Sequence, residues 1–139
     1  MHINLIGPAA ALATFLGVWL GHVSVRKLER ETAYLWKPTL LFILLGIGME
    51  IASFLTTNLI LSAMCGIFAV TSLWDAFEVS VRQPKRIKQG HAPANPNNPR
   101  HAKILAEYSE ASTVDWLHRE PRGSLYTDDE LASIKAGEK

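Results

Sequence analysis

The uneven distribution of charge is the feature that most constrains this fold. The first 25 residues contain no Lys, Arg, Asp or Glu, and between residues 38 and 81 the only charges are Glu50, Asp75 and Glu78. A soluble fold places charged side chains on the outer face of every surface helix. Long uncharged stretches of this kind therefore predict helices that lie in lipid.

Three apolar stretches are long enough to cross a bilayer, at about residues 3–25, 38–56 and 59–81. A helix of about 20 residues spans the hydrocarbon core of about 30 Å. The first stretch has no basic segment before it and is longer than the apolar part of a signal peptide, so we expect a retained span. Only Thr57 and Asn58 separate the second stretch from the third, which predicts a tight hairpin. The predicted fold class is an all-α integral membrane protein with three transmembrane helices in region 1–81.

Basic residues predict the orientation of these spans. Four of them lie in residues 26–37 and four more in residues 82–88, whereas the amino terminus and the tip at residues 57–58 have none. With three spans, the two basic segments lie on the same side of the membrane. By the positive-inside rule, we expect the amino terminus outside and the carboxy-terminal tail in the cytoplasm.

Small residues recur every four positions in the first span, at Ala13, Gly17 and Gly21. Helices in lipid associate through close packing at such residues rather than through hydrophobicity. Gly48 and Ala52 have the same spacing in the second span. The pattern predicts either an interface with a partner subunit or packing within the three-helix unit, and both remain open at this point.

Glu50 is the most unusual residue in the spans. It lies about 18 Å from the start of the second span, past the middle of the bilayer. A charge at such a depth costs about 2.5–3.5 kcal/mol. The carboxyl group is expected to hydrogen-bond to a neighbouring helix, to pair with a basic residue of a partner, or to take part in a proton or ion relay.

A second polar group is expected at the inner end of the spans. His22, Asp75 and Glu78 reach a similar depth there, and Glu78 precedes Arg82 by four residues, an order that favours an ion pair on a helix. With Arg26, these residues predict an ionic collar. Ligands with the spacing of a metal site are missing, so we favour a structural ion-pair network.

The sequence contains no motif for catalysis or for cofactor binding. It lacks a nucleophile–base pattern and a glycine-rich phosphate loop. His2 and His22 lie at opposite ends of one span, about 30 Å apart, so one chain cannot supply both axial ligands of a haem. We expect no enzyme activity, metal, cofactor or nucleic acid for this chain alone; contact with lipid or a quinone is left open.

The tail divides into two parts. Residues 82–100 form a connector that is basic and rich in Pro and Asn. Its residues 91–100, with three prolines and three asparagines, are expected to be extended. Residues 101–139 are expected to form a helical tail, with an amphipathic helix over about 101–120 and a short helix starting at the capping box of residues 127–130. Because such short helices cannot form a core alone, we expect their apolar residues to dock on a cytoplasmic partner. These residues are Ile104, Leu105, Tyr108, Trp116 and Leu117.

Several segments resemble a known family. They are Gly21-His22 with the sequence Arg-Lys-Leu-Glu after it, the region of Gly46, Trp74 followed by Glu78, and above all residues 83–90 leading to Pro93 and Asn95-Pro96. Over residues 21–100 the chain resembles domain-of-unknown-function family 4491, small bacterial membrane proteins with three helices. The resemblance implies a bacterial inner-membrane protein with a tail extension after residue 100. It also makes the turn at residues 90–96 a candidate interaction site, and it implies no chemistry.

We therefore expect a non-catalytic accessory subunit of a larger bacterial inner-membrane complex, for example a respiratory or redox complex. Its spans would pack on a membrane subunit and its tail would bind a cytoplasmic subunit. The alternative is a small oligomeric transporter or proton-relay protein that uses Glu50 with the carboxylates at the inner interface. Retention of partners during purification would distinguish the two.

Overall fold

A computed structural model of the protein describes residues 4–115 and, beyond them, residues 129, 130 and 132. The described residues form helices and turns and contain no strand. The helices are α1 (Ile6–Glu31), α2 (Trp36–Leu55), α3 (Leu59–Phe77), α4 (Gln83–Lys88) and α5 (Pro99–Glu107). A π-helical turn at Glu78–Arg82 joins α3 to α4.

Three helices are long and apolar enough to cross a membrane, which confirms the predicted number of spans. Asn58 starts α3, because its side-chain oxygen accepts hydrogen bonds from the N–H groups of Ile60 and Leu61. The third helix is longer than predicted. It runs without a break from Leu59 to Lys88, seven residues beyond the end predicted for the third span at residue 81.

The π-helical turn has a local cause in Pro84. Proline has no N–H group to donate to the carbonyl of Ser80 four residues earlier, and its ring clashes with that carbonyl in a regular α-helix. The wider turn relieves this clash, and the N–H of Gln83 instead donates to the carbonyl of Glu78. The helix therefore continues through Pro84 into α4.

The three long helices form a single layer with α3 in the middle. α3 packs along both α1 and α2, whereas α1 and α2 barely contact each other. The buried residues of α1 recur every four positions, at Ala13, Gly17, Gly21, Val25 and Glu29. This stripe faces α3: a Cβ atom on Gly17 would lie 2.9 Å from the Oγ1 of Thr71. The small-residue stripe of α1 is thus used for packing within the chain.

On α2, the close contact with α3 is made at Gly46. A Cβ atom there would lie 2.7 Å from Cγ of Leu73 and 3.1 Å from the backbone oxygen of Ala69. Gly48, two residues later, has open space in place of its missing Cβ. The two glycines therefore lie on opposite faces of one helix, and only Gly46 brings α2 close to α3.

Residues 83–115 fold into a compact unit at the end of the layer, which we call the cap. Its core contains buried aliphatic side chains from α4, from the following loop, from α5 and from the segment after α5: Ile87, Ala92, Ala94, Ile104 and Ala111, with Leu105 packed against them. Gly90 has a φ of 70°, and a Cβ on it would collide with the backbone oxygen of Glu110. The connector therefore forms a turn that packs closely on the backbone of the segment after α5. The extended conformation that was predicted for the connector is wrong.

The tail helix is shorter than its apolar pattern predicted. It starts at Pro99, with Asn98 as its N-cap, and it ends at Glu107. Residues 108–115 are not helical. Here Ser112 Oγ accepts a hydrogen bond from the N–H of Val114, and such local bonds from serine compete with helix formation. Residues 116–128, including Trp116 and Leu117, and most of the second predicted tail helix lie outside the described residues.

Candidate functional site

The end of α1 is joined to the cap by side-chain hydrogen bonds. The last carbonyls of a helix have no partner within it and need donors from elsewhere. The Asn98 side chain donates to the backbone oxygens of Arg30 (3.0 Å) and Thr32 (3.2 Å), and the Asn95 side chain donates to that of Arg30 (3.2 Å). Arg100 donates to the backbone oxygen of Glu29 at 2.7 Å. The asparagines of the connector thus hold the cap on α1.

A buried ion cluster lies beside these bonds. Arg100 Nη2 is 2.7 Å and His101 Nε2 is 3.1 Å from the same oxygen of Glu29, Oε1. His101 is fully buried and Glu29 is 1% exposed. We call Glu29, Arg100 and His101 the clasp. The clasp joins Glu29, the last buried residue of α1, to the start of α5, more than 70 residues later in the chain.

Hydrogen bonding assigns the tautomer of His101. Its Nδ1 accepts the backbone N–H of Asn95 at 2.9 Å, so the proton of a neutral ring lies on Nε2 and points to Glu29. Arg100 Nη2 is 2.8 Å from the same Nε2. Because both atoms are then donors that converge on one carboxylate oxygen, we interpret this short distance as a consequence of the shared acceptor and not as a hydrogen bond.

Next to the clasp lies a cavity of about 740 Å³. One wall is the carboxy-terminal part of α1 from Trp19 to Glu31. The other wall is formed by Gln83 and Arg86 of α4 and by residues 91–93, and Asp115 also lines the cavity. Four of the lining residues are Lys or Arg, namely Arg26, Lys27, Arg30 and Arg86. It is thus a basic cavity, and the clasp and the cap hold its two walls together.

The structure keeps part of the predicted ionic collar together, because Asp75 lies close enough to Glu78 and His22 for their charges to interact. Asp75 is buried against the backbone of Gly21, where a Cβ atom would collide with its carboxylate. Glu78 is 3% exposed and pairs with Arg86 at 3.3 Å. Arg82, its expected partner, instead lies over the ring of Trp74, with Cζ 5.5 Å from the centroid. The prediction that Glu78 pairs with Arg82 is wrong. The π-helical turn widens the helix here, so Arg82 no longer lies on the same helix face as Glu78.

His22 and Arg26, the other predicted members, are exposed on α1 and line the basic cavity. The described residues include no group of three His, Cys, Asp or Glu side chains that could hold a metal ion. Asp75, Glu78 and His22 of the predicted collar thus lie near one another. Beside Glu78, Arg86 takes the place that was expected for Arg82.

Glu50 is half-buried on the side of α2 that faces α3, and it has no hydrogen bond or ion pair among the described residues. Gly46 packs on Ala69 and Leu73, while Ser53 bonds to Ser62. Since α2 and α3 run in opposite directions, Glu50 lies level with about residues 66 and 67, which are glycine and isoleucine. That level is about 13 Å from Asp75 along the helix axis. The structure thus does not bring Glu50 to the other carboxylates.

The predicted docking residues of the tail have different environments. Ile104 and Leu105 pack inside the cap. Tyr108 is exposed and its ring contacts Lys88, whose Nζ lies 4.9 Å from the centroid. Trp116 and Leu117 lie outside the described residues. At least part of the apolar stripe of α5 is therefore covered by the chain itself.

The clasp residues were missed from the sequence, although two signals for them were present. Glu29 continues the spacing of four residues from Ala13 to Val25, which identifies it as a buried position. Asn98-Pro99 is an N-cap followed by a proline at the first helical position, which marks the start of α5. No local signal shows that His101 and Arg100 would meet Glu29, because this contact depends on the fold of the whole cap.

Together these features define a helical membrane protein of three long apolar helices, closed at one end by a small cap over a basic cavity. The chain belongs to the family described as Domain of unknown function (DUF4491), whose model matches residues 4–98. The match includes the three long helices and the connector, and it ends before Arg100 and His101 of the clasp. The family description states no activity. No curated protein and no solved structure matches the chain.

Proposed function

We propose that this protein is a non-catalytic structural subunit of a bacterial inner-membrane complex. In this proposal the amino terminus and the tip at residues 57–58 are outside, and the cap lies in the cytoplasm. The three helices would pack on a membrane subunit, and the cap with its tail would bind a cytoplasmic subunit.

Glu50 is the observation that carries the proposal. A carboxyl group at membrane depth is costly unless it is paired or hydrogen-bonded. At the level of Glu50, α3 has a glycine and an isoleucine, whose side chains cannot donate a hydrogen bond, and α1 barely contacts α2. A transmembrane helix of a partner, packed in the groove between α2 and α3, would supply the missing donor.

The single layer of helices supports the same proposal. Many of the large apolar side chains of α2 are about half-exposed, among them Leu44, Ile47 and Ile51. Lipid can cover such side chains, so they do not by themselves require a partner. A layer of this kind, however, leaves the grooves on both sides of α3 open to a further helix, which a closed bundle of three helices would not do.

Co-purification from a bacterial host tests the proposal. The full chain is solubilised in mild detergent, and the membrane proteins retained with it are quantified for the wild type and for Glu50→Leu. We expect a partner in fixed stoichiometry with the wild type and its loss with Glu50→Leu. Thr14→Val is the matched control, because the hydroxyl of Thr14 bonds to the carbonyl of Ala10 in its own helix. A lone monomer for the wild type, or equal retention in all three proteins, would contradict the proposal.

The alternative is a small oligomeric transporter or proton-relay protein, and it also depends on Glu50. It requires a path between Glu50 and the carboxylates of Asp75 and Glu78. The gap of about 13 Å along the helix axis is too long for direct proton transfer and would have to be bridged by water. In this alternative, Glu50→Gln abolishes transport by reconstituted protein but preserves assembly, whereas transport at the wild-type rate would exclude it.

A further inference from the structure

The basic cavity has cations that the chain itself does not neutralise. Among the described residues, Arg26, Lys27 and Arg30 form no ion pair. On the opposite wall Arg86 is 40% exposed and is shared with Glu78. The cavity is also lined by three carboxylates, those of Glu29, Glu31 and Asp115. Glu29 pairs with Arg100 and His101 of the clasp. The cavity is thus suited to an anionic ligand.

The α1 wall of the cavity changes from apolar to cationic along its length. Trp19 and Val23 are 56% and 52% exposed, and the cations follow them at residues 26, 27 and 30. Residues spaced by three and four positions lie on one face of a helix. From Trp19 to Arg30 this face extends about 16 Å. It therefore presents an apolar strip that leads to a cluster of positive charge.

The depth of this wall matches the profile of a bilayer. With α1 starting at Ile6, Trp19 lies about 20 Å along the helix, within the hydrocarbon region, and Arg26 lies about 30 Å along it, at the interface. Acyl chains occupy the first level and phosphate headgroups the second. Basic pockets at the inner ends of transmembrane helices are a known setting for anionic lipid headgroups.

We propose that this cavity binds an anionic phospholipid. Its phosphodiester headgroup contacts Arg26, Lys27 and Arg30, and an acyl chain lies along Trp19 and Val23. The cap closes the far side of the headgroup, because Gln83, Arg86 and the turn at residues 91–93 form that wall. A volume of about 740 Å³ accommodates a glycerophosphate headgroup and the first part of its chains. This proposal does not depend on a partner subunit.

The test uses the purified full chain in a neutral detergent, with three probes: phosphatidylglycerol, phosphatidylcholine and inorganic phosphate. Native mass spectrometry gives the affinity for each lipid, and competition with inorganic phosphate tests for a soluble ligand. The cavity variant is Arg26→Gln/Lys27→Gln/Arg30→Gln. The control variant, Lys37→Gln/Lys85→Gln/Lys103→Gln, removes the same charge from exposed residues that do not line the cavity.

We expect saturable binding of phosphatidylglycerol by the wild type and by the control variant, and weaker binding of phosphatidylcholine. At about fivefold per basic residue near a headgroup, the cavity variant should lose at least about tenfold in affinity. The three substituted side chains are exposed, so thermal unfolding of this variant should match that of the wild type. An equal loss in the control variant, no preference over phosphatidylcholine, or displacement of the lipid by inorganic phosphate would overturn the proposal.

Discussion

Two glycines of α2 show how strongly one missing side chain can determine helix packing. Gly46 lets α2 approach the backbone of α3 at Ala69, while Gly48 faces open space. In Gly46→Ala the new methyl group must displace Leu73 or move the two helices apart. We expect a loss of about 1–3 kcal/mol in the free energy of unfolding, as for other overpacked sites.

Gly48→Ala is the matched control for this prediction, because it is the same substitution two residues away on the same helix. It should be neutral or slightly stabilising, since alanine favours a helix more than glycine does. Thermal unfolding of the purified chain in detergent measures both variants. Equal effects at the two positions would show that α2 and α3 do not pack as described.

The ion pairs at the end of α3 give a second prediction at the level of single residues. Arg86 pairs with the buried carboxylate of Glu78, whereas Arg82 contacts only the ring of Trp74. Arg86→Gln leaves Glu78 without its cation, and we expect a loss of about 1–3 kcal/mol. This is less than for a fully buried pair, since Arg86 is partly exposed.

Arg82→Gln serves as the comparison and should cost less than about 1 kcal/mol, because it removes only a contact between a cation and an aromatic ring. Chemical unfolding of the two variants under one condition measures the difference. A larger effect at Arg82 would support the pairing expected from simple helical spacing and would contradict the π-helical turn. The sequence alone favoured that spacing, because nothing in it shows where a helix becomes wider.

At the scale of helices, the sequence predicted what depends on composition and missed what depends on the folding of the tail. Missing charges identified the three spans, because lipid excludes charge from every face of a helix. The tail was harder to interpret. Prolines at 93, 96 and 99 favoured an extended connector, yet this segment folds back on the end of α1 and the last of these prolines starts α5. Its contacts with α1 are separated by more than 60 residues in the chain and leave no local pattern.

Asn98 joins the cap to the end of α1 through its side chain. Its side chain donates to the carbonyls of Arg30 and Thr32 and accepts from the N–H of Arg100, so one residue completes the end of α1 and the start of α5. In Asn98→Ala the carbonyl of Thr32 and the N–H of Arg100 lose this partner, whereas the carbonyl of Arg30 keeps Asn95. We expect a cost of about 1–3 kcal/mol, concentrated in the cap.

Hydrogen exchange resolved by segment measures this effect. The amides of α5 and of residues 110–114 should exchange faster in Asn98→Ala, while those of α2 and α3 remain unchanged. Asn97→Ala is the control, because Asn97 is exposed and only its backbone N–H makes a hydrogen bond, to the side chain of Asn95. Protection of α5 at the wild-type level in Asn98→Ala would show that the cap does not depend on this link.

At the scale of the whole molecule, the cap and the basic cavity lie at one end of the helix layer and the tip at residues 57–58 lies at the other. The two ends of the molecule therefore differ. The proposed function depends on which of these ends faces the cytoplasm. Eight of the fourteen basic residues lie in residues 26–37 and 82–88, next to the cap or within it, and none lies between residues 38 and 81. By the positive-inside rule we expect the cap in the cytoplasm, as the proposed function requires.

Cysteine labelling tests this orientation, because the only native cysteine, Cys65, is buried and can be replaced by Cys65→Ala. In that background Thr57→Cys places a thiol at the tip and Lys103→Cys places one on α5, both at exposed positions. A maleimide that does not cross membranes should label Thr57→Cys in spheroplasts and should label Lys103→Cys only after permeabilisation. The reverse result would put the cap and the basic cavity outside, and it would exclude a cytoplasmic partner for the tail.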